Sequence, residues 1–377
     1  MTEPARAVYV TSPIFRNPAF GAHHPLSHGS GAIATELCAS LGWLDDAAVH
    51  VSSAASVAEL RRFHHDDYIA ALRGCEEAGL VSRAARERYH IGTMENPLFP
   101  GLFARAATTV GGSILAARLA FAGRTAFHPH GGTHHGRPER ASGFCYFNDP
   151  VFAILAFLDL GLERVFYLDI DAHHGDGVEA AFITDPRVAT LSIHEDGRWP
   201  YSGRPEDRAR GPIYNFPVPR GLNDSEFRLL VEDAVVPLMR AFAPQALVIT
   251  CGADGLAGDP LSTMALSNRA LWEAVEKAIR QTPRAVVLGG GGYNPWTVAR
   301  CWAGLWGCLS GKKLPNPLPA AGRAVLSRLT CDLIDEDEID PCWLSTLADR
   351  PNDGPVRPEI RRLARAFDPP PRSATRI

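Results

Sequence analysis

The sequence predicts a single α/β domain built on a central, mostly parallel sheet of about eight strands flanked by helices, on three observations. Short apolar runs alternate with helical stretches along the chain, the pattern that yields a parallel sheet covered on both faces. The run Val165 to Ile170 is apolar and β-branched enough to be buried on both sides. The residues best suited to chemistry follow directly on strand ends, where open parallel sheets bind ligands.

Taken in order, Ala7 to Val10 is a first strand, followed by a Gly/His/Pro-rich loop from Asn17 to Gly31. Ala32 to Leu41 is helical and Val49 to Val51 a strand; helical patterns follow at Val57 to Arg62 and Asp66 to Ala78. Arg83 to Tyr89 is charged, and Ile91 to Pro97 reads as an exposed loop. An Ala-rich helix from about Pro100 to Ala122 leads to a strand at Thr125 to His128, and Asp149 to Leu160 is a helix entering the central strand. Strands are expected at Val188 to Ile193, Ile213 to Phe216, Ala246 to Thr250 and Ala285 to Leu288. Asp224 and Ser267 are read as helix N-caps, and a Trp-rich helix follows the last strand. One domain over 1–367 and a disordered Pro/Arg-rich tail over 368–377 complete the expectation.

The 377 residues carry a formal charge of −4, which gives no pull toward nucleic acid or anionic membrane. Eight cysteines without CxxC spacing suggest reduced thiols rather than a disulfide framework or zinc ribbon. No secretory signal and no membrane-spanning run is recognisable, so a cytoplasmic enzyme is expected.

Asp169, Asp171, His173, His174 and Asp176 place three carboxylates and two imidazoles within eight residues, ahead of the turn at Gly175 and Gly177. Ions that dense beside a core strand need a counter-charge. Asp171 and His173 point to one side of an extended stretch, and a carboxylate oxygen with an imidazole nitrogen suits zinc. Asp254, which follows another strand, would be a third ligand and leave a coordination position open for catalysis; a turn aspartate among glycines would look the same. The pair His134–His135 suggests proton transfer, with Asp169 and Asp176 left over to fix their tautomers, although a surface turn could also carry two histidines. Tyr293, after four glycines, could donate a hydrogen bond to an oxyanion.

Five stretches resemble the zinc-dependent histone deacetylase superfamily, which includes acetoin-utilisation-type deacetylases and acetylpolyamine amidohydrolases. They are Gly131 to His135, Ala141 to Asp149, Asp169 to Gly177, Gly252 to Asp254, and Gly289 to Tyr293, in family order between about Phe20 and Leu309. The resemblance implies an arginase-like fold and removal of an acetyl or other acyl group from acetyl-lysine or an acetylpolyamine. It assigns zinc to Asp171, His173 and Asp254, pairs His134 with Asp169 and His135 with Asp176, and makes His135 the general base and Tyr293 the carbonyl polariser. It implies a potassium ion near Asp169, Asp171, His173 and Ser192. Gly143, Phe144 and Gly291 would line the substrate path, with an opposite wall among Trp199, Pro200 and Tyr201, and Glu95 would take substrate amides at the rim.

Two positions depart from the pattern. Ser30 stands where the family has a channel arginine, and His130 replaces a small residue. A dinuclear manganese ureohydrolase is the enzymatic rival, with Asp176 and Asp259 as its nearest spare carboxylates. A non-catalytic acyl-ligand-binding module of the same fold is the other. The segments Arg83 to Pro97 and Trp199 to Gly211 could gate the tunnel or join copies in a homo-oligomer.

Overall fold

Among the described residues eight strands form, and all of them run parallel in one sheet. The computed structural model describes residues 7–17, 19–21, 23–207 and 211–367. The strands are β1 (Val8–Thr11), β2 (Val49–Val51), β3 (Thr125–His128), β4 (Val165–Asp169), β5 (Val188–Glu195), β6 (Ile213–Val218), β7 (Ala246–Thr250) and β8 (Ala285–Leu288). Their order is β2-β1-β3-β8-β7-β4-β5-β6, so the last two strands to form in sequence fill the gap between β3 and β4. β4 is buried throughout, and its side chains divide between two cores. Phe166, Leu168 and Ile170 join one face, Val165 and Tyr167 the other.

The helices are α1 (Ser30–Ser40), α2 (Val57–Leu60), α3 (Asp66–Ala78), α4 (Arg83–Tyr89), α5 (Leu102–Phe121), α6 (Asp149–Asp159) and α7 (Asp176–Phe182) in the first half. The second half adds α8 (Asp224–Leu230), α9 (Val236–Phe242), α10 (Asn268–Ile279), α11 (Pro295–Leu309), α12 (Ala320–Leu326), α13 (Pro341–Ser345) and α14 (Pro358–Ala364). α3, α5 and α6 bury one face of the sheet, and α1, α10 and α11 the other. Fully buried Arg300 on α11 ties down the chain beyond, bonding the Thr346 carbonyl at 2.7 Å and Asp349 at 2.7 Å.

Two expectations are corrected, and one stretch gains an assignment. Arg83 to Tyr89, read from sequence only as charged, is a helix whose N-cap Ser82 accepts the Ala85 N–H. Asn223, not Asp224, caps α8 by accepting from the Glu226 N–H, while Asp224 turns inward to the Ser267 and Asn352 N–H groups. The stretch Ile91 to Pro97 is not simply exposed, since Ile91 and Asn96 are fully buried. The expected tail lies outside the described residues. Ser267 does cap α10. All eight cysteines are free, and no helix among the described residues is long and apolar enough to cross a membrane.

His64 locks the loop that follows β3. The Asn148 N–H donates to its Nε2 at 3.1 Å, so the ring proton lies on Nδ1 and goes to the Arg137 carbonyl at 2.9 Å. A second proton has no acceptor, and burial depresses the imidazole from 6.5 to about 3. Between those values the unfolded chain binds a proton that the folded chain refuses. His64 therefore favours folding above pH 6.5, and this contribution falls by about 1.4 kcal/mol per pH unit below it. Denaturant midpoints measured from pH 7 to pH 4 should show His64→Gln with a shallower acid slope by about one proton; equal slopes would contradict a neutral His64.

Candidate active site

Sheet register brings the chemistry together. His128, Leu288, Thr250, Asp169 and Ser192 are successive neighbours across β3, β8, β7, β4 and β5, so the first four strands end level while β5 runs on to Glu195. The chain leaving each of the first four carries part of the site. His134 and His135 come from β3, Tyr293 from β8, Asp254 from β7, and Asp171 and His173 from β4.

Asp171, His173 and Asp254 are all buried, and one ligand atom from each lies within 4.8 Å of the others. His173 Nδ1 faces Asp254 Oδ2 at 2.9 Å and Asp171 Oδ1 at 3.3 Å. The outer oxygens are held by backbone: Gly291 N–H donates to Asp171 Oδ2 at 2.6 Å, and Ala172 N–H to Asp254 Oδ1 at 2.9 Å. A Cβ at Gly252 would lie 2.1 Å from Asp171 Oδ2, and one at Gly291 2.1 Å from Asp254 Oδ2. Glycine is required at both positions for the backbone to reach these carboxylates. The donor set fits a divalent cation. Burial raises Asp254 to about 6, helped by Asp171. Burial opposes charge on His173, but hydrogen bonds to Asp171 and Asp254 overrule it and hold the imidazolium to about 10.

Each catalytic candidate in the β3 loop has its own carboxylate. His134 Nδ1 meets Asp169 Oδ2 at 2.7 Å, and His135 Nδ1 meets Asp176 Oδ1 at 2.8 Å. Burial acts against charge on both rings, yet the outcomes differ. Asp169 and Asp171 lift His134 to about 9, whereas burial and the neighbouring His134 push His135 down to about 3. The two ring centroids are 3.9 Å apart, so one accepts charge at the other's expense.

Tyr293 is buried, and burial with the charges of Asp254 and Asp171 holds its phenol well above the ordinary value. Its backbone N–H donates to Asp259 at 2.7 Å, and Asp259 also accepts from Leu261. The rival's spare carboxylates are thus occupied, Asp259 on backbone and Asp176 on His135 and Arg137. The Asp/His/Asp group is the one metal cluster found among the described residues.

The tunnel walls are aromatic. Gly143 and Phe144 both have left-handed φ, 55° and 65°, and Ser142 and Cys145 exchange backbone bonds across them. This two-residue hairpin turn, strained at Phe144, aims the phenyl ring at the site, 5.9 Å from Tyr293. Trp199 is the facing wall, 4.6 Å from the His135 ring, whereas Tyr201 is 74% exposed at the outer mouth. Glu95 is no free surface carboxylate: one oxygen accepts the Gly143 N–H at 2.6 Å and pins the turn.

An inner cavity of about 150 Å³ continues past His134 and Tyr293. Ser30 and His130 line it, and His130 stacks on Phe15 at 3.9 Å. The missing loop arginine has a counterpart there, because Arg105 on α5 reaches the same cavity with its guanidinium bonded to the carbonyls of Ile14 and Asn17.

Several supports were not singled out from sequence. Asp149 takes the N–H groups of Gly132 and Thr133, Asn148 holds the carbonyls of His134 and Gly136, and Tyr167 donates to Asp169 at 2.6 Å. Arg137, paired with Asp176, completes the set. Asn148 and Asp149 lie inside a recognised motif, but nothing local marks Tyr167 or Arg137.

Fold and site together define a class, a parallel α/β protein with a three-ligand candidate metal centre and two His–Asp pairs at its strand ends. The histone deacetylase domain model matches residues 24–309, and the chain belongs to that family. It is 38% identical over 324 residues to Histone deacetylase 3 of Oryza sativa subsp. japonica, covering 83% of this chain and 63% of that protein. Against Histone deacetylase 1 of Homo sapiens it is 34% identical over 308 residues, covering 80% and 64%. The match therefore spans less than two thirds of these relatives' length. The crystal structure of an HDAC homolog from Aquifex aeolicus superposes with a TM-score of 0.91 at 32% identity, covering 96% of this chain and 99% of that one. An HDAC homolog complexed with SAHA gives a TM-score of 0.90 at 32% identity, with the same coverage.

Divalent metal should titrate the chain at one ion per site. Because the His173 nitrogen must lose its proton to become a ligand, binding at pH 7 should release about one proton, and affinity should fall with acid. Calorimetry in buffers of different ionisation enthalpy reads this number; no proton release would mean that His173 is not a ligand.

Proposed function

We propose that the chain is a zinc-dependent hydrolytic deacetylase that removes an acetyl or other acyl group from an amine such as acetyl-lysine or an acetylpolyamine. The observation that carries this reading is convergence at the foot of one aromatic-walled tunnel. Two His–Asp pairs and a phenol meet there beside a buried Asp/His/Asp group. Family membership and the related structure complexed with SAHA support it.

Asp171, His173 and Asp254 would hold the zinc, which when bound supplies Lewis acidity toward a carbonyl and lowers the pKa of water. Phe144 and Trp199 confine the extended acylamine between their rings. His135 donates its Nδ1–H to Asp176 in a hydrogen bond, which leaves Nε2 as an acceptor at neutral pH. It takes a proton from the attacking water and returns it to the leaving nitrogen, so base and acid are one residue. His134 stays protonated beside it and offers a positive charge to the developing oxyanion. Tyr293 keeps its phenolic proton at any working pH and donates to the same oxygen.

For potassium, the support is the register pairing of Asp169 with Ser192, which brings these two residues side by side on β4 and β5. Free thiols support a reducing, cytoplasmic setting. A non-catalytic reading gains nothing from a site whose chemical positions are all filled.

Tyr293→Phe should lower kcat by about 10²–10³-fold, the share of one oxyanion donor, with metal content unchanged. A variant retaining half its activity would reduce Tyr293 to packing. His135→Ala should lose more activity on an acetyl-lysine substrate than His134→Ala, because one ring carries the proton and the other only charge. The reverse order would move the base to His134.

A further inference from the structure

The tunnel opens into a mouth of about 630 Å³, far roomier than the inner cavity, and the charges around it are unevenly committed. Glu195 is buried there, and its acceptors are taken. Arg198 donates to one oxygen at 2.7 Å together with the Thr263 hydroxyl at 2.8 Å, and the Thr263 N–H donates to the other at 2.7 Å. Glu95 has given one oxygen to Gly143. Arg220 is different. Its side chain is 81% exposed, and its nearest carboxylate is that saturated Glu195, at 3.9 Å.

We propose that Arg220 is a specificity-determining residue that selects acyl-lysine within a peptide segment carrying a carboxylate side chain next to the acylated residue. The inference rests on the deacetylase reading and narrows its substrate class. An acylated polyamine brings only further ammonium groups to the mouth. Among the described residues lining it, Glu195 is already neutralised by Arg198, and the free oxygen of Glu95 is the remaining acidic acceptor. An exposed guanidinium facing the same space repels such a chain. A peptide matches both groups: a backbone N–H reaches the free Glu95 oxygen, and a neighbouring carboxylate lies flat on the guanidinium fork. Met94 and Tyr201, 96% and 74% exposed at the same rim, offer apolar surface to the adjoining side chains.

The test compares two acetyl-lysine peptides that differ only in a Glu or a Lys beside the acetylated residue. A neutral acetyl-lysine amide and an N-acetylspermidine complete the set. kcat/KM should favour the Glu peptide over the Lys peptide about three- to tenfold at low ionic strength, mainly through KM. The preference should shrink with added salt. Arg220→Ala should bring the ratio close to one, and Arg220→Glu should invert it. Each ratio is read within one protein, so partial loss of folded enzyme cancels. Activity on the neutral amide with a Glu/Lys ratio of one would overturn the inference and leave the deacetylase reading standing. A ratio unaffected by Arg220→Glu, or acetylspermidine preferred to both peptides, would do the same. Inactivity on all four substrates would overturn both.

Discussion

The structure depends on keeping two carboxylates, Asp171 and Asp254, fully buried within reach of one cation. Unpaired, each would be expensive to hold out of water. The chain meets this cost with geometry. Backbone N–H groups from Ala172, His173 and Gly291 point at the carboxylate oxygens, and the His173 ring stands between the two carboxylates. Glycine at 252 and 291 follows from the same demand, since any side chain there would strike a ligand oxygen. So does the level ending of β4, β7 and β8, without which three separate loops could not converge on one point.

Around this centre, polar groups act in layers that fix orientation. Asp149 and Asn148 gather the backbone of the His134–His135 loop, and His64 in turn holds Asn148. The two histidines therefore differ through their surroundings and not through their chemistry. His134 faces Asp169 and lies 3.8 Å from Asp171, so it gains a proton; His135 faces one aspartate that Arg137 already shares. Neighbouring rings with opposite proton affinity can divide labour, one holding charge and the other transferring it.

Much of this was legible in the sequence, for physical reasons. Each strand is short, apolar and bounded by turn residues, so all eight were found within a few residues of their observed limits. The candidate cluster was readable because Asp171 and His173 lie two residues apart just past one strand end and Asp254 follows another. What escaped depends on contacts between distant segments. Asp224 looks like a cap, yet Asn223 takes that role because Asp224 is drawn inward by Ser267 and Asn352, far along the chain. Glu95 looks solvated until Gly143 is folded against it. Trp199 and Tyr201 are two residues apart, and only the loop's path decides that the first walls the tunnel and the second faces solvent.

The inner cavity carries the same lesson to electrostatics. Read along the chain, Ser30 suggests that a positive charge has been lost from the channel. In three dimensions Arg105 arrives from α5 and lines the same space, anchored by the carbonyls of Ile14 and Asn17 and lying over the Phe15 ring at 5.4 Å. Burial lowers its guanidinium to about 10, which still leaves it charged at neutral pH. The neighbouring His130 is pushed down as well, by burial first and then by His128 and Arg105, so it stays neutral and stacks as an aromatic ring on Phe15. A cavity's charge is thus a property of what the fold gathers around it, and the residue at one aligned position does not decide it. The tunnel mouth obeys the same rule: Glu195, Arg198 and Arg220 come from two segments, and which of them stays available to a ligand is settled by who is already paired.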